Sequence, residues 1–98
     1  MAWNELLKKR DLHPRGSDKW RELDRASLIE QSSNQIKSVS KQLSKMPQWS
    51  GKNEFQRQDY ARTRITNYLQ DLEKKQKEDW RKRDIRRVRD SIKSSFGD

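Results

Sequence analysis

Cysteine is absent from this 98-residue chain, which excludes disulfides and thiolate metal sites. Histidine occurs once, as His13 ahead of Pro14. A lone imidazole has no second one to share a metal with, and in that loop it reads as a solvated turn residue. No glycine-rich phosphate loop, Gly-Lys-Ser/Thr triplet or nucleophile elbow is present. Nearly all carboxylates have a basic residue three or four positions away, which keeps them ionised rather than tuned for proton transfer. The expectation is a non-enzymatic protein with no catalytic residues, no metal, no cofactor and no small-molecule ligand.

Long apolar runs are also lacking. Nothing has the length of a membrane span or a signal peptide, so the reading is of a protein that is not secreted, sited in cytoplasm, nucleus or virion. The chain starts at Met without a tag and reads as a complete small gene product. Only 29% of residues are hydrophobic. With so little to bury, ordering entropy is barely offset, and the chain is expected to draw order from a partner or from self-association.

Charge is what the sequence has in quantity. Lys and Arg number 24 against 15 acidic residues, a net charge of +9 and a pI near 10.1. That balance favours nucleic acid, an acidic protein surface or anionic lipid as partner. A membrane-surface role is the weakest of these, because the basic C-terminal helix has a short apolar face without tryptophan.

The two prolines and three glycines fall in Pro14–Gly16, Pro47–Gly51 and at Gly97, leaving long stretches unbroken. No segment alternates β-branched and polar residues, so the fold class is all-α: a small helical hairpin or bundle forming a single domain over 1–98. Trp3, Leu6 and Leu7 mark a short helix within 1–16, followed by a loop. Asp18 is the expected N-cap of a helix over 18–46. Ile29, Ile36, Val39, Leu43 and Met46 form a heptad stripe with Ser32 polar at one seam position, a coiled-coil pattern. Trp20 and Leu23 lie off that stripe. The helix therefore either kinks near 25–27, where Ser27 and Glu30 fit a capping box, or continues with its start packed on a different neighbour. Trp3 and Trp20 are expected to form a satellite core with Leu6, Leu7 and Leu23.

Residues 47–52 read as a turn, and Asn53 with Gln56 as a second capping box opening 53–96. In that half Ile65, Tyr68, Leu69 and Leu72 share one face. Ile85, Val88, Ile92 and Phe96 share another, nearly opposite at ~100° per residue. Either the helix breaks near 77–84, or one rod offers its halves to different partners.

The run Glu73–Asp90 spans this crossover, with nine basic and five acidic residues around Trp80. Glu73–Lys77, Glu78–Lys82 and Asp79–Arg83 are acid-to-base pairs at i, i+4, which support a solvated helix at ~0.2–0.5 kcal/mol each. The same run contains a pattern readable as a nuclear-import signal. Towards its end, arginine prevails. Arg81, Arg83, Arg86, Arg87 and Arg89, with Arg57, Arg62 and Arg64 on the preceding half, are the candidate phosphate contacts, because the guanidinium fork suits phosphate oxygens. In a hairpin the two clusters would border one groove, with Trp49 and Trp80 as stacking faces. Trp49, Trp80, Ile85, Val88 and Ile92 are the candidate partner interface.

Two functions follow as expectations. One is sequence-independent binding of a nucleic-acid backbone, within a larger assembly. The other is a helical protein–protein adaptor or structural subunit, oligomeric or part of a complex, with no nucleic-acid contact. No zinc-finger, RNP or KH pattern is present.

Overall fold

A computed structural model of the chain describes residues 2–95. The fold is an all-α small helical bundle, with no strand among the described residues: α1 (Trp3–Arg10), α2 (Asp18–Leu43), a 3₁₀ turn (Pro47–Trp49), α3 (Glu54–Lys74) and α4 (Asp79–Ser95). α2 touches each of the other three helices, and α3 packs against α4.

The N-cap of α2 lies one residue earlier than expected. Ser17 is the N-cap, its side chain accepting from the Trp20 N–H at 3.3 Å, and Asp18 is the first helical residue. The helix runs unbroken through 25–27 for 26 residues and ends at Leu43, short of Met46. Ser27 caps nothing. Its hydroxyl is buried and donates back to the Asp24 carbonyl at 2.8 Å, so continuity displaces the capping box.

The buried line on α2 also differs from the heptad stripe. Ile29 and Met46 are exposed, whereas Leu28, Ser32, Ile36, Ser40 and Leu43 are buried. Mostly four-residue steps replace the seven-residue repeat, and small serines let neighbouring helices come close. Ala61 does the same on α3, where it is completely buried with Ile65 and Leu69. Tyr68, expected on that face, is exposed. The Asn53–Gln56 box forms as expected. Gln56 N–H donates to Asn53 Oδ1 at 2.8 Å, and Asn53 N–H donates to Gln56 Oε1 at 3.0 Å.

The decisive feature is the break between α3 and α4. It spans 75–78, beginning slightly before the expected 77–84, and contains neither glycine nor proline. Gln76 ties it down: its Nε2 donates to the Leu72 carbonyl at 3.0 Å and its Oε1 accepts from Arg81 at 2.9 Å. The chain reverses there, and α4 returns along α3. The opposed stripes thereby converge. Ile85, Val88 and Ile92, expected to meet a partner, form one core with Leu28, Ile36, Ala61, Ile65 and Leu69. Those three side chains are therefore buried within the chain. Phe96 lies outside the described residues.

Candidate nucleic-acid interface

Two buried carboxylates decide which arginines are free. Asp84 sits in the α4 stripe at 1% exposure. Arg21 of α2, 63 residues away, grips it with two parallel bonds of 3.0 Å, from Nε to Oδ2 and from Nη2 to Oδ1, and Arg25 adds a third at 3.4 Å. The Asp84 hydrogen bond, opposed by partial desolvation, raises the Arg21 guanidinium above the ordinary arginine value. Asp24, equally buried, accepts from Arg10 at 2.8 Å and from Arg81 at 3.4 Å. A buried carboxylate is tolerable only when paired in this way.

The same end of the bundle holds Trp20 and Trp80, edge to face with ring centroids 5.6 Å apart. Arg10 and Arg15 lie over Trp20 at 4.7 and 4.9 Å, and Arg21 lies over Trp80 at 5.5 Å. Gly16 makes the approach feasible. It adopts φ +88, and a Cβ there would stand 3.3 Å from Trp80 Cζ2. Trp80 is thus half-buried against Trp20, with Arg15 and Arg21 over its ring, where a free stacking face was expected. The satellite core centres on Trp20 and Trp80, while Trp3 is exposed.

The candidate arginines therefore separate. Arg81 is consumed by Asp24 and Gln76. Arg89 is mostly buried near Glu73 and Asp90. Arg57 donates to the Lys52 carbonyl at 2.7 Å, and Arg62 pairs with Asp59. Arg64 is exposed in a groove between α2 and α3 with Gln35, Ser38 and Tyr68. Arg87 lines a different groove, with Arg25, Ile29 and Ser91, so these members of the two clusters do not share one.

What remains is the outer face of α4. Arg83, Arg86 and Arg87 project there, with Lys93 two turns on, all exposed. Arg83 and Arg87 have no ion-pair partner among the described residues, and Arg86 meets Glu73 at 3.0 Å. The local pairs expected to occupy Glu73 and Glu78 are replaced by tertiary ones. Glu73 holds Arg86, and Glu78 accepts from Arg15 Nε at 3.2 Å.

Asp24 and Asp84, unforeseen from local charge pairing, nevertheless leave a signal in the sequence. Asp84, Val88 and Ile92 recur every four residues, as do Trp20, Asp24 and Leu28, which places each carboxylate within an apolar face. At the opposite end of the bundle, Trp49 stacks obliquely on Tyr60 at 5.0 Å beside Phe55, which is 65% exposed. Among the described residues, no group of three or more His, Cys, Asp or Glu is arranged to hold a metal, and no helix is long and apolar enough to cross a membrane. No protein-family model matches the chain, and no curated protein or solved structure matches it significantly.

Proposed function

We propose that this is a non-enzymatic helical protein that binds the phosphate backbone of nucleic acid, within a larger assembly, through the outer face of α4. One observation carries the reading: Arg83, Arg86 and Arg87 stand on consecutive exposed turns of a helix whose other face is locked into the core. Phosphate contacts need positive charge on a rigid frame, and α4 supplies both. Glu73, itself mostly buried, takes only Nε of Arg86, whose side chain stays more than half exposed.

The test is binding to duplex and single-stranded oligonucleotides of unrelated sequence. With about four phosphates neutralised, affinity should fall roughly a hundredfold between about 50 and 200 mM salt. Absent binding at the lower salt, or affinity indifferent to salt, overturns the proposal.

The second reading, a protein–protein adaptor, is favoured by the exposed aromatic corner of Trp49, Phe55 and Tyr60. It predicts a protein complex that Phe55→Ser disrupts and that moderate salt leaves intact.

A further inference from the structure

At the end of the bundle away from Asp24 and Asp84, a groove of about 270 Å³ separates the last turns of α2 from the first turns of α3. Lys37, Ser40, Lys41 and Ser44 line one wall, and Glu54, Arg57 and Gln58 the other. Lys37, Ser40, Lys41 and Ser44 recur at i, i+3, i+4 and i+7, so they share one face of α2.

Two features set this groove apart from ordinary basic surface. The first is an unmatched donor. Arg57 Nε is buried and has no partner, while Nη1 of the same guanidinium is anchored on the Lys52 carbonyl. Ser40, 7% exposed, lines the groove opposite it. Buried donors are normally matched, and leaving them unmatched is costly.

The second is charge. Lys37 and Lys41 have no ion-pair partner among the described residues, and Arg57 adds a third cation. The one carboxylate, Glu54, accepts from Gln58 at 3.2 Å on its own helix. The carbonyl end of α2 and the amide end of α3 lie side by side, so their opposite partial charges largely cancel. The side chains then set the potential, and it is positive.

We propose that this groove is a phosphate-binding site. A phosphoryl group would accept from Ser40 and Arg57 Nε at its base, with Lys37 and Lys41 closing over its outer oxygens. It is separate from the outer face of α4 and does not depend on that face binding nucleic acid. Either a terminal phosphate monoester or an internal diester of a strand presents the required oxygens.

The experiment is amide NMR of the full chain titrated with inorganic phosphate, with chloride at matched ionic strength as reference. The expected result is saturable, millimolar shifts confined to residues around 37–44 and 54–58. Lys37→Gln/Lys41→Gln, both exposed and so not needed for folding, should abolish them, and Ser40→Ala should weaken binding about tenfold. Shifts that fail to saturate, or that spread equally over Lys8 and Lys9, overturn the site.

A second arm compares oligonucleotides with and without a 5′-phosphate. Tighter binding of the phosphorylated strand assigns the monoester. Equal binding that the double variant weakens assigns the diester. Equal binding that the double variant leaves unchanged contradicts occupancy by a strand. Because inorganic phosphate is read alone, failure here and failure of α4 to bind nucleic acid are distinguishable.

Discussion

Arg21 and Asp84, 63 residues apart, are joined by two hydrogen bonds of 3.0 Å that fasten the start of α4 to the start of α2. Asp84 is buried and Arg21 is partly exposed. Removing the charge while keeping the shape, as in Asp84→Asn, leaves Arg21 and Arg25 facing a neutral amide. Breaking a fully buried pair costs roughly 3–5 kcal/mol. Solvent access on the arginine side lowers the expected loss to about 2–3 kcal/mol, read as a fall in the urea midpoint at unchanged slope. An unchanged midpoint would remove Asp84 from the account of stability.

The alkaline dependence of this pair has a definite sign. The arginine value is raised on folding, so its contribution is complete below the ordinary value and fades only as pH climbs through the raised one. Stability from Arg21 should thus be constant between about pH 7 and about pH 9. Compared by urea unfolding at the two values, wild type and Arg21→Gln should differ by the same amount.

Gly16 supports the Trp20–Trp80 pair by a different route. Its positive φ strains any side chain, and a Cβ there would press on the Trp80 ring at 3.3 Å. Gly16→Ala is expected to cost about 1–2 kcal/mol and to alter tryptophan emission, because the ring beside it must shift. Unaltered emission and stability would show that the turn accommodates a methyl group.

Core and surface on α4 should respond oppositely. Ile85→Ala removes a completely buried side chain and is expected to destabilise by about 2–5 kcal/mol. Arg83→Gln and Arg87→Gln should change stability by less than about 0.5 kcal/mol. If Ile85→Ala left the isolated chain as stable as wild type and weakened only a complex, the internal core described above would be wrong.

Why some of this was legible in the sequence and some was not follows from range. The stripe Ile85–Val88–Ile92 and the Asn53–Gln56 cap are local patterns, readable from spacing alone. The phase jump between Leu69 and Ile85 showed that the apolar face changes sides, but with no glycine or proline to mark it, a break and a continuous rod stayed equally open. Periodicity gives a face, however, and not the neighbour on it, so Ile85, Val88 and Ile92 could be assigned to a partner when their neighbours are Leu28 and Ile36. Local pairing likewise suggested Lys77 for Glu73, whereas tertiary folding gives Glu73 to Arg86. Asp24 with Arg81, and Asp84 with Arg21, meet over 57 and 63 residues. No spacing rule reaches that far, and those contacts decide that Arg81 is structural while Arg83 and Arg87 remain free.

The outer face of α4 is tested most directly by the salt slope of oligonucleotide binding. Arg83→Gln/Arg86→Gln/Arg87→Gln is compared with Lys8→Gln/Lys9→Gln/Lys19→Gln, which removes the same charge from the opposite part of the chain. The arginine variant should lose about 2–3 units of slope on duplex DNA, while the lysine variant retains most of the wild-type slope and affinity. Equal loss in both variants, or none in either, would contradict it.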